Sequence, residues 1–247
     1  MTEPLKHMPK APPARMKTRV RPEALAYANA VARFSPPEDS PIDGERPEAR
    51  DFVIRPASYF DSDAIAAANV AAWRSAYRGV MPESVLKEFT TERFEARWEE
   101  VFLNPPAPGV TTLVADNARF GVMGYLRAGP AAERGDGEDD VFTHEVYAVN
   151  IAPRFKRLGA GRVLLRAGLR RLLDDGAEAC FAWVLNANPN ARFFLKGQGA
   201  RPVEDGFEKI GPLRFPKTAY GWPDLAAAFV DRGPQPLAPV STRRPRR

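Results

Sequence analysis

Between residues 51 and 230 the spacing of hydrophobic positions changes period several times, and each change marks an element. Phe52-Val53-Ile54-Arg55 reads as a first strand, rich in β-branched and aromatic residues. Asp61 and Ser62 can cap a helix that runs on through Ile65, Val70 and Trp73 and ends at Tyr77-Arg78-Gly79. A short helix follows over about residues 82–88. A third covers Thr91 to Phe102, with Phe94, Trp98, Val101 and Phe102 on one face, and Asn104-Pro105-Pro106 closes it. Thr111 to Ala115 is a strand, Asp116 to Arg119 a turn, and Phe120 to Arg127 the returning partner of a hairpin. Gly129 to Asp140 reads as a polar, acidic loop. Glu145 to Ile151 is again strand-like, and Pro153 stops it. From Gly161, Leu164, Leu165, Leu169, Leu172 and Leu173 recur at three- and four-residue steps, an amphipathic helix. Ala177 to Leu185 is an apolar, interior strand. Pro189 to Lys196 is a short helix, and Arg201 to Ile210 with Pro216 to Trp222 form a closing hairpin.

Strands and helices in that order predict a mixed α+β fold, one sheet with helices on both faces. The flanks differ in kind. Residues 1–50 hold nine of the 25 prolines and few large apolar residues, the composition of a disordered arm. Within them Pro22 to Phe34 carries an apolar stripe suited to a short docking helix. Residues 231–247 form a Pro- and Arg-rich tail. One domain, residues 51–230, is therefore expected between two extended ends.

Charge sharpens this division. The chain's net +5 is a sum of unlike parts: residues 1–21 carry +5, residues 232–247 carry +5, and residues 22–231 carry −5. The basicity belongs to the ends, and the body is mildly acidic. Nucleic acid is therefore not expected as the body's partner. Cys180, the single cysteine, rules out an intrachain disulfide and falls in an apolar strand, where it reads as core. His7 and His144 are the only histidines, too few for a His-rich metal site. No metal is expected. No apolar run approaches the ~20 residues that span a membrane, and the N-terminus lacks a signal peptide's apolar stretch. A cytoplasmic protein with no membrane partner is the expectation.

The candidate chemistry lies between the strand at Glu145 and the helix after Gly161. The first amides of a helix have no intrahelical acceptor, and the helix dipole is positive there. Gly159 and Gly161 permit close backbone approach, and Lys156, Arg157 and Arg162 add charge. The stretch is a cradle for phosphate oxygens, or else an ordinary strand–helix turn with solvated basic residues. A P-loop is excluded because no GxxxxGK[ST] run exists. The dinucleotide pattern fails because Leu164 fills its third glycine slot.

Lys156-Arg157-Leu158-Gly159-Ala160-Gly161 resembles [Q/R]xxGx[G/A], the pyrophosphate loop of the GNAT superfamily of acyl-CoA N-acyltransferases, with Lys in the Gln/Arg slot. Asn188 to Ala200 resembles that family's NxxAxxFYxxxG, with Asn188, Ala191, Phe194 and Gly199 in register. Ala71 to Pro82 and Ala219 to Trp222 also resemble one bacterial subgroup. The resemblance spans about residues 51–230. It implies a mainly antiparallel sheet of about seven strands, splayed between Glu145–Ile151 and Ala179–Leu185. It implies acetyl-CoA (coenzyme A) as co-substrate, with the pantetheine arm pairing along Val149, Asn150 and Ile151. The loop residues Lys156, Arg157, Leu158, Gly159, Ala160, Gly161 and Arg162 would hold the pyrophosphate, and Asn188 the pantetheine. Asn188 is equally suited to cap the helix before Pro189.

The activity so implied is transfer of an acetyl group to a primary amine, on a small molecule or a peptide. Glu145 is the candidate general base; its plain alternative is a salt-bridging residue beside His144. A backbone amide near Val149 would hold the thioester carbonyl. The family often places Tyr after the Phe of its later motif, but here the pair is Phe194-Leu195. Tyr147, on the same strand face as Glu145, is the candidate substitute, with water the simpler one. Leu195 thereby raises a second reading, a catalytically weakened acyl-CoA-binding module. Trp73, Tyr77 and Tyr220 are candidates for the acceptor pocket, and core packing explains them equally well. A second copy of the chain, forming a homodimer, is left open.

Overall fold

The computed structural model describes residues 50–104, 106–131, 141–210 and 213–230. The expected arms, the helix at 22–34 and residues 132–140 of the acidic loop lie outside the described residues.

Strand β1 (Phe52–Pro56) leads to α1 (Ser62–Tyr77), α2 (Glu83–Lys87) and α3 (Thr91–Leu103). The hairpin β2 (Thr111–Asn117) and β3 (Gly121–Pro130) follows, then β4 (His144–Ile151) and α4 (Ala160–Asp174). The chain continues through β5 (Cys180–Leu185), α5 (Pro189–Gly197), β6 (Arg201–Ile210), β7 (Leu213–Trp222) and α6 (Ala227–Val230). The seven strands form one sheet in the order β1-β2-β3-β4-β5-β7-β6. Every neighbouring pair is antiparallel except β4 and β5, which are parallel. The α+β sheet expected from the sequence is the one observed.

Several boundaries move, among them these two. β3 runs on to Pro130, so Gly129 lies in the strand and not in the loop. β7 begins three residues before Pro216. That proline is tolerated because its carbonyl accepts from Asn186 N beyond the end of β5, on the side where its own N–H would have pointed.

The sheet separates two cores. On one face Ile65, Trp73 and Tyr77 of α1 and Trp98 of α3 pack on Val114, Tyr125, Tyr147 and Leu185. Trp73 stacks on Phe89 at 4.7 Å, and Trp98 meets Tyr125 edge-on at 5.1 Å. On the other face Leu164, Leu165, Leu169 and Leu172 of α4 pack on Met123, Leu126, Val146 and Trp222. Cys180 lies in this second core, and burial pushes its thiol well up from its ordinary range. Arg55 ties β1 to the start of α1. Its guanidinium reaches Asp61 at 2.7 Å and Asp116 at 2.8 Å. Asp61 is thus occupied by Arg55 and by the N–H and hydroxyl of Ser58, and makes no side-chain cap bond to α1.

Candidate active site

The parallel pairing of β4 with β5 covers only His144↔Cys180 and Glu145↔Phe181. β4 continues six residues past Glu145 against β3, and β5 continues to Leu185 against β7. Between them the sheet opens. Among the described residues, no strand pairs with the facing edges of 146–151 and 182–185. A bulge in the β3–β4 ladder places Arg127 opposite Ala148 and Ala128 opposite Val146, leaving Tyr147 without a counterpart. Glu145 is the last paired residue of β4 before the opening, and it is half-buried.

At the open end of β4 the chain turns into α4. Two residues of this turn are left-handed, Arg157 at φ 66° and Gly159 at φ 93°. A non-glycine residue in that region carries a steric penalty. Gly159 meets it without cost, and it stands where a helix cap would be. The first bond of α4 runs from Val163 N to Gly159 O, so the amides of Ala160, Gly161 and Arg162 have no intrahelical acceptor. Lys156 is part-buried, and desolvation lowers its ammonium to about 8. Arg157 is exposed beside it. Leu158 packs partly into the α4-side core, and Ala160 is buried. Free amides at a helix start, with three cations around them, fit an anionic ligand.

Asn188 is fully buried and caps α5. Its Oδ1 accepts from Ala191 N at 3.1 Å, and its Nδ2 faces Tyr77 Oη at 3.4 Å. Its oxygen thus fills the helix-cap role, and its nitrogen meets α1. Gly199, the last position of the same motif, stops α5: at φ 93° it lets Ala200 N return to Leu195 O. Leu195 points into the α4-side core.

The three acceptor-pocket candidates are buried. Trp73 and Tyr77 are fully buried in the α1-side core. Tyr220 lies in the other core, accepting from Arg192 Nε at 3.0 Å. Their burial matches the core-packing alternative. Tyr147 is also committed: its hydroxyl donates to the Pro130 carbonyl. Burial first, and then the charge of Glu145, push that phenol well above its ordinary range, while Arg127 acts against them. Asn150 lies on β4, and its side chain turns toward Asn69 and Tyr125 on the α1 side.

Two residues were missed in the sequence. Arg127 is buried, donates to Thr112 Oγ1 at 2.9 Å, and lies near Tyr147. Asn69 is fully buried on α1 and accepts from Asn150. Both carried a signal, a polar residue inside an otherwise apolar pattern.

A seven-stranded sheet opened between two central parallel strands, followed by a basic helix-start loop, has the layout expected of the GNAT fold. The chain belongs to the acetyltransferase (GNAT) family, whose family model matches residues 70–200. It is 33% identical over 175 residues to the uncharacterized N-acetyltransferase YuaI of Bacillus subtilis, covering 71% of this chain and 95% of that one. In fold it is similar to the PaiA N-acetyltransferase of Thermoplasma acidophilum in complex with coenzyme A. That likeness has 17% identity and a TM-score of 0.52, and covers 68% of this chain and 98% of that one. It is also similar to yncA of Salmonella typhimurium, solved with acetyl-CoA, at 20% identity and a TM-score of 0.50, covering 76% and 99%.

Proposed function

We propose that this chain is an acetyl-CoA-dependent N-acetyltransferase, passing an acetyl group directly to a primary amine of a small molecule or a peptide while both are bound. The opening of the sheet at Glu145 carries this reading. Pairing of β4 with β5 stops at the half-buried Glu145, and the basic loop 156–162 follows the unpaired stretch of β4. The coenzyme complexes of the two similar structures support the same ligand.

When bound, acetyl-CoA supplies an activated acyl group and a thiolate leaving group. The chain's own groups do the rest. Ala160, Gly161 and Arg162 offer amides, and Lys156, Arg157 and Arg162 offer charge, to the pyrophosphate. The backbone of Val149 and Ile151 offers a strand edge to the amide-bearing arm, and an amide near Val149 holds the acyl carbonyl. Asn188 acts from behind as the cap of α5.

Glu145 accepts the proton that the acceptor's ammonium must lose before its neutral nitrogen can attack, directly or through water. Tyr147 is a poor proton source, its hydroxyl held by Pro130 and its acidity lowered by burial. A thiol's ordinary pKa near 8.5 lets the thiolate leave and take its proton from water.

Leu195 favours a second reading, an acyl-CoA-binding module with little turnover, since no hydroxyl stands at that position. Calorimetric titration with acetyl-CoA and thiol release over an amine panel separate the two. Turnover that falls by about 100-fold or more in Glu145→Gln, with acetyl-CoA affinity unchanged, supports the enzyme. Binding without turnover across the panel supports the module. Absence of binding at millimolar acetyl-CoA would sink both.

A further inference from the structure

Past Glu145, β4 has a strand neighbour on one side only, so its position depends on the layers above and below it. On the α1 face it is held by a polar contact inside an apolar core. Asn150 Nδ2 donates to Asn69 Oδ1 at 3.0 Å and to Tyr125 Oη at 2.9 Å. Asn69 and Tyr125 are 0% exposed and Asn150 is 1% exposed. Asn69 stands on the buried stripe of α1, one turn from both Ile65 and Trp73. Asn69 Nδ2 and Asn150 Oδ1 find no hydrogen-bond partner among the described residues.

Two buried amides with unmet groups are a costly way to fill this place, and leucines would fill it more stably. What an amide pair adds is direction. Apolar contacts let a strand slide or tilt beneath a helix, whereas a hydrogen bond fixes both register and depth. Asn150 lies between Val149 and Ile151, whose backbone was assigned above to the coenzyme arm.

We propose that Asn69 and Asn150, anchored to β3 by Tyr125, are positioning residues that lock the Val149–Ile151 backbone for the coenzyme arm to add alongside. Neither amide touches the coenzyme. Asn150 acts through the backbone of its two neighbours. The inference rests on the coenzyme reading of this strand.

Titration calorimetry of the full chain with acetyl-CoA tests it, alongside thermal melting and amide exchange of the free protein. The double variant Asn69→Leu/Asn150→Leu removes both amides with their two unmet groups but takes one bond from the buried Tyr125 Oη, so its melting temperature should stay within a few degrees of wild type. Its acetyl-CoA affinity is expected to fall about two- to tenfold, the span of one hydrogen bond. Amide exchange at 149–151 should quicken while the other strands keep their protection. Tyr125→Phe, which keeps the ring against Trp98, should give a smaller loss in the same direction. Should the double variant fail to fold, this second variant decides alone. Unchanged affinity in the folded variants would overturn the latch. A wild-type chain that does not bind acetyl-CoA would instead overturn the coenzyme reading beneath it.

Discussion

Lys156 shows how far one residue's environment shapes its chemistry. Burial lowers its ammonium to about 8. It is therefore a cation below that pH and neutral above it, and an anion is bound best by the cation. Acetyl-CoA binding should weaken as pH rises past about 8, by up to about tenfold per unit, with proton uptake on binding. Titrations in buffers of different ionisation enthalpy would measure that uptake, and Lys156→Met should abolish it. The two loop glycines should separate in the same assays. Gly159→Ala forces a side chain into a left-handed position and should cost about 1–2 kcal/mol. At Gly161 an added Cβ would meet Ile151 and Phe194 only at ordinary contact distances of 3.4 Å and beyond. Gly161→Ala should leave the melting temperature within a degree or two. The sequence showed both glycines but could not rank them, because rank depends on φ and on neighbours far along the chain. The same holds for Trp73, Tyr77 and Tyr220: aromatic spacing on a helix or strand reads alike whether the rings line a pocket or a core.

Among the elements, α1 shows what pattern reveals and what it hides. Its extent was legible from Ile65, Val70 and Trp73, because a helix buries one face and the period follows. Its start was legible too, with Asp61 at the N-cap position, but the side-chain bond was not, since Asp61 turns to Arg55 and Ser58 and not to the helix amides. Burial alone would raise the Asp61 carboxyl; the bonds from Arg55 and Ser58 outweigh it and hold the group below its ordinary value. A depressed carboxyl contributes stability that is present above its unfolded pKa near 4 and lost as pH falls through the folded value. Asp61→Asn should therefore cost about 1–3 kcal/mol at neutral pH, with the difference from wild type shrinking below about pH 4. Denaturant midpoints across that range would show it. The splay of β4 from β5 was legible only through the family resemblance. Nothing in the local pattern of either strand says where their pairing stops.

At the scale of the whole molecule, two cores share one sheet, and each depends on a few large side chains. Trp98→Ala should cost about 3–5 kcal/mol, since the indole is fully buried between Phe102 and Tyr125. Ligand binding should repay stability in a localised way. At a hundredfold excess over its Kd, acetyl-CoA should add about 2.7 kcal/mol to unfolding. Hydrogen exchange should place the added protection chiefly at 146–151 and 182–185.

Those two segments also carry a hazard. A strand edge with unmet N–H and C=O groups accepts any extended backbone, another protein's included. Here β4 is flanked by α1 on one face of the sheet and α4 on the other. Without coenzyme its open edge should accept stray unfolded peptide. Preparations should stay monodisperse longer with coenzyme added than without it.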